Sequence, residues 1–185
     1  MAAAAVVATA VLVAGCDSSK QPSAETKQPA NWDAPTDPSA AAQNASLPML
    51  GQEMLAVHYH AHLDVIVDGQ PITVPAGLGI DNTRRAISPL HTHDTTGIVH
   101  IESGQEIPFT LGQLFTEWGQ ALTSQQVGPK TISASEALHV YRNGKPVPGD
   151  PATLKFQARD EIAIWVGPSS ATPDPPTSYQ FPAGL

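Results

Sequence analysis

Apolar and polar positions alternate with a period of two through the middle of the chain. From His58 to Val67, Leu63, Val65 and Val67 take one parity, while His58, His60, His62, Asp64 and Ile66 take the other. That is the pattern of a strand with one face on a core. Asp68-Gly69 follows and predicts a type I′ turn, with Gln70 to Val74 as the returning strand. Pro71 and Pro75 place this partner at an edge or leave it only partly paired. His91-Thr-His93 and Gly97 to Ser103 predict a second hairpin around Asp94-Thr-Thr-Gly97. A four-residue loop sets His91 opposite His100 and His93 opposite Ile98, with Glu102 on the histidine face; an odd loop length breaks that register.

Thr110-Leu-Gly-Gln113 has the form of a capping box ahead of Leu111, Leu114, Phe115, Trp118 and Leu122. The spacing predicts one amphipathic helix to about Leu122, loosened or ended by Gly119, with Phe115 and Trp118 in the core. Leu138 to Arg142, Asn143-Gly144 and Lys145 to Val147 predict a third hairpin, and Glu161 to Val166 a last strand. The fold class expected is α+β, mostly β: a small antiparallel or mixed sheet with one amphipathic helix. Hairpin, strand, helix, hairpin and final strand is the order of a β-grasp-like fold; a small β-sandwich is the alternative. The stretch Ala158 to Val166 resembles the last strand of ubiquitin-like sulfur-carrier domains. This chain does not end in Gly-Gly, so that resemblance carries no function.

Composition narrows the function classes. The 185 residues carry a net charge of −8 and no basic stripe, which excludes a phosphate-tracking surface and hence nucleic acid as partner. Residues 16–47 are rich in Ser, Pro, Ala and Gln and read as a flexible tether, residues 168–185 as a proline-rich tail, and residues 48–167 as the folded domain.

Cys16, the single cysteine, ends an apolar small-residue run. Leu12-Val-Ala-Gly-Cys16 resembles the lipobox of bacterial lipoproteins, with Val13 standing where leucine is more usual and no basic residue ahead of the run. The resemblance implies a signal peptide over residues 1–15, lipidation of Cys16, and a cell-membrane location with the protein lipid-anchored on the extracytoplasmic side. The membrane would then be a partner through the N-terminal lipid, and no thiol would be left for a metal.

Six of the seven histidines fall in two blocks: His58, His60 and His62, then His91, His93 and His100. Alternating histidines aim several imidazoles the same way, and a transition metal is the simplest user of convergent ring nitrogens. All six are candidate metal ligands, for copper or zinc. Asp64, Asp94 and Glu102 could ligate or orient a ring, and Met49 and Met54 are candidate soft ligands for Cu(I). His62-Leu-Asp64 with His100 also fits the spacing of a two-histidine, one-carboxylate iron triad. His139 lies outside the cluster and reads as an exposed strand residue.

The pattern over Val57 to Ser103 also looks like a group of uncharacterised secreted bacterial proteins, which implies no activity. Metal capture or delivery is the function the residues favour. A small metalloenzyme, hydrolase or oxygenase, and a metal-free envelope interaction module are the alternatives.

Overall fold

Asx-Gly turns organise the sheet. Asp68 and Gly69 have φ of 52° and 75°, and Asn143 and Gly144 have 52° and 74°, so both pairs adopt the left-handed backbone of a type I′ hairpin. The computed structural model describes residues 1, 31–51 and 56–185. Residues 2–15 of the expected signal peptide, the expected lipidation site Cys16, the first part of the expected tether and Met54 lie outside the described residues.

The elements run α1 (Pro38–Asn44), β1 (Val57–Val67), β2 (Gln70–Ile72), β3 (Ile80–Asp81), β4 (Ala86–Ile87), β5 (Leu90–His91) and β6 (Ile98–Ser103). They continue with α2 (Leu111–Glu117), β7 (Leu122–Thr123), β8 (Gln126–Val127), β9 (Lys130–Thr131), β10 (Glu136–Arg142), β11 (Lys145–Pro146) and β12 (Glu161–Pro168). The protein is thus mostly sheet with two α-helices among the described residues. No described helix is long and apolar enough to cross a membrane.

The main sheet has the order β11-β10-β12-β1-β6-β5, with β2 also paired to β1. β1 is its axis. Its first half pairs antiparallel with β6, and its end with β2. Along the opposite edge, His62 to Val67 pair in parallel with Glu161 to Val166 of β12. One face of β1 sends Leu63, Val65 and Val67 into the core beside Val99, Ile101, Ile162, Ile164, Phe115 and Trp118. The other face carries the histidines. The outer edge of β5 is bonded in turn by Gly77, Leu78 and Gly79, through Thr92 and Ser88.

The capping box at Thr110 and Gln113 forms in both directions. The helix stops at Glu117, short of the Leu122 expected from the apolar spacing. Gly119 takes φ of 75° and turns the chain, so that Leu122 enters the core from β7.

Residues 31–47, expected as tether, pack on the domain. Trp32 is buried against Trp118, ring centroids 5.4 Å apart, and lies over Gly128 where a side chain would collide with the indole. The Trp118 indole N–H donates to the Trp32 carbonyl at 3.2 Å. α1, capped by Asp37, buries Ala41 and Ala42. A polar composition hid one large apolar anchor and a short alanine face.

Glu117, the last residue of α2, points inward. Both carboxyl oxygens are buried with no hydrogen bond of normal geometry among the described residues, the Ser88 hydroxyl lying alongside. Burial pushes the group up to about 8, with the Ser88 hydroxyl opposing the shift.

Candidate metal centre

Strand register builds the site. His60 of β1 stands opposite His100 of β6, and His100 opposite His91 of β5, so three imidazoles form one row across three neighbouring strands. His58 stands opposite Glu102 in the next row along the same face. The pairing of His91 with His100 is the register that a four-residue loop predicts. His93 lies just beyond β5, exposed, and folds its ring over the row. Its centroid is 4.5 Å from that of His100 and 4.9 Å from that of His91.

His60 Nε2 and His100 Nδ1 are 3.0 Å apart. Glu102 Oε1 lies 3.3 Å from His58 Nε2, 3.9 Å from His91 Nε2 and 4.0 Å from His100 Nδ1. Two triads could each hold an ion, His58–His60–His100 and His91–His93–His100, with ligand atoms of each triad within 4.8 Å of one another. The structure therefore brings five of the six candidate histidines together, with Glu102 among them.

His91 is the most constrained of the five. Its Nδ1–H donates to the Ser88 carbonyl at 3.0 Å, because a carbonyl can only accept. The neutral ring then carries its lone pair on Nε2, which is buried and has no hydrogen-bond partner among the described residues. A backbone carbonyl that fixes the tautomer is the usual support of a ligating histidine. Electrostatics favour the same state. Burial first, and then neighbouring imidazoles, hold His91 down to about 4 and His100 down to about 3. His60 is lowered as well, by burial first and then by the neighbouring charges of His58, Arg159 and His93. These rings stay neutral near pH 7, as ligands must.

His62 is held elsewhere. It faces Ile98 on one side and Glu161 on the other. Its Nε2–H donates to the Thr96 carbonyl at 2.8 Å, and its Nδ1 lies 2.8 Å from Glu161 Oε2 and 4.0 Å from Asp64 Oδ2. Burial by itself lowers His62; the Glu161 hydrogen bond and charge, helped by Asp64, outweigh it and raise the ring. The tail reaches this point: Tyr179 stacks on His62 with centroids 3.7 Å apart and planes at 8°. Phe181 meets Tyr179 edge-on, with the Arg159 guanidinium over its ring. His62 and Asp64 thus meet Glu161 where the iron-triad spacing suggested His100.

No family model, curated protein or solved structure matches the chain.

The remaining candidates are placed apart from the row. Asp94 accepts from the Thr96 amide at 2.9 Å and caps the loop. Met49 packs at the margin of the core. His139 is half-buried rather than exposed, wedged between Tyr141 and Trp165. Sequence reasoning missed Glu161 and Tyr179, because only the parallel pairing of β12 with β1 and the return of the tail bring them to His62.

Proposed function

We propose that this protein binds a transition metal, copper or zinc, through the imidazole cluster of His58, His60, His91, His93 and His100, and serves in its capture or delivery. The buried Nε2 of His91 carries the reading. A lone pair fixed by Ser88, shielded from water and left without a donor is costly unless a cation uses it. A first shell of imidazoles suits Cu(II) and Zn(II), and copper outcompetes zinc at equal availability. Exposure of His58 and His93 beside buried His91 gives an ion a route in and out, which fits a carrier. Convergence of five rings argues against a metal-free interaction module, for which splayed imidazoles beside an apolar patch are expected.

The setting belongs to the same proposal. The lipobox-like Leu12–Cys16 supports a lipoprotein tethered by palmitate-type acyl chains on the extracytoplasmic side of the cell membrane. A β-grasp-like core is supported by the order β2-β1-β12-β10-β11 with its parallel central pair and α2 against the apolar face.

The test is elemental analysis of full-length protein purified without an affinity tag, with thermal unfolding before and after Cu(II) or Zn(II) is added. Bound metal near stoichiometry and a raised melting temperature are expected. Protein that emerges metal-free and is not stabilised by either ion refutes the proposal. Mass spectrometry of the membrane fraction, seeking an acylated N-terminal Cys16, tests the anchor.

A further inference from the structure

We propose that His62, Asp64 and Glu161 form a second cation site, chemically distinct from the imidazole cluster, that takes a divalent ion of the manganese–zinc type. This site does not depend on the first. It lies one step further along the same face of β1, about 6.6 Å from His60 along the strand.

The geometry is that of a prepared donor set. Thr96 tethers the Nε2–H of His62 just as Ser88 tethers the Nδ1–H of His91, and each tether turns the opposite nitrogen toward a carboxylate. His62 Nδ1, one oxygen of Asp64 and one of Glu161 lie within 4.8 Å of one another. Donors about 2.1 Å from a shared ion stand about 3.0–3.4 Å apart, so separations of 2.8 and 4.0 Å straddle what one ion needs.

A second observation points to a ligand. The Glu161 side chain is 1% exposed, and its Oε1 has no hydrogen-bond partner among the described residues. A buried carboxylate with a spare oxygen, crowded by a second carboxylate, calls for more positive charge than one shared proton supplies. Asp64 is 42% exposed and leaves a path from solvent, while Tyr179 covers one face of the His62 ring and fixes its plane.

Donor chemistry sets the ion class. One imidazole and two carboxylates form a harder set than five imidazoles, so Mn(II) and Zn(II) fit it and Cu(I) does not. The competing occupants are protons, one between Nδ1 and Glu161 Oε2 and one shared by the Glu161 and Asp64 carboxyls, which would make the trio an ordinary buried hydrogen-bonded group.

The experiment uses untagged full-length protein, stripped with chelator and titrated with Mn(II), the free ion being followed by electron paramagnetic resonance. About one equivalent should bind the wild type and equally the His58→Ala/His93→Ala double variant, which alters only exposed rings of the other cluster. Asp64→Asn, at a partly exposed position that should fold normally by circular dichroism, should weaken Mn(II) by tenfold or more. In a parallel nitrogen NMR measurement at pH 7, saturating Zn(II) should displace the proton from His62 Nδ1 while Nε2 keeps its own. Failure to bind Mn(II), binding indifferent to Asp64→Asn, or a His62 ring that keeps both protons under saturating Zn(II) overturns the proposal. Loss of copper or zinc binding at the imidazole cluster leaves all three readouts intact, so the two sites fail separately.

Discussion

Glu117→Gln should make the protein more stable, by an amount that grows with pH. The Glu117 carboxyl is pushed from 4.5 up to about 8 by burial. Its place at the C-terminal end of α2, where the helix dipole is negative, disfavours the anion further. A carboxyl raised in the folded state is held protonated there while the unfolded chain ionises near its ordinary value. Stability is therefore full below about pH 4.5 and falls by about 1.4 kcal/mol per pH unit above it, until the folded carboxyl itself ionises. Near pH 7 the loss is on the order of 3 kcal/mol, and it levels off at about 4–5 kcal/mol beyond pH 8. Glutamine has nearly the same shape and does not titrate, so the variant adds at most an offset that is constant with pH. Urea unfolding of both proteins at half-unit steps from pH 4 to 9 gives the difference curve. It should be flat near pH 4, rise through neutrality and flatten above pH 8. A difference that stays constant across this range would refute the argument and mean that Glu117 is already ionised inside the fold, with a partner for its charge.

Other expectations concern the site and the margins of the domain. His91→Ala should weaken Cu(II) by at least tenfold in calorimetric titration, about the smallest effect seen when even an indirect partner of a metal is lost. Trp32→Ala should cost about 3–5 kcal/mol in urea unfolding, because the indole fills core space between Trp118 and Gly128; a change below about 1 kcal/mol would return residues 31–47 to the status of a tether. Gly97→Ala should destabilise by more than about 1 kcal/mol. Gly97 has φ of 86°, and an added Cβ would stand 2.7 Å from the Leu63 carbonyl and 2.9 Å from His62 Nε2. The His62 ring signals should shift in the same variant.

Much of this arrangement is legible wherever local chemistry decides it. Asx-Gly pairs locate the hairpins because few residues tolerate φ near +50°. The loop at Asp94–Gly97 fixes which histidines face each other, since side chains alternate faces and only an even offset keeps them together. What stayed hidden depends on distant segments. Nothing near His62 in sequence announces Glu161, which arrives from 99 residues away through a parallel pairing. Nor does a polar, proline-rich composition reveal that Trp32 and Tyr179 are anchors. One aromatic ring can tie down a segment whose average hydropathy says that it should be free.

The stacking of Tyr179 on His62 bears on how the protein can be handled. Leu185 is six residues beyond that ring, about 20 Å of extended chain at most, so a segment appended to it can reach the histidine-bearing face of the sheet. A polyhistidine purification handle fused there would compete for the same ions, and a bulky fusion partner would tug on the aromatic clasp. Carrying the handle upstream and excising it leaves the stack of Tyr179 on His62 undisturbed.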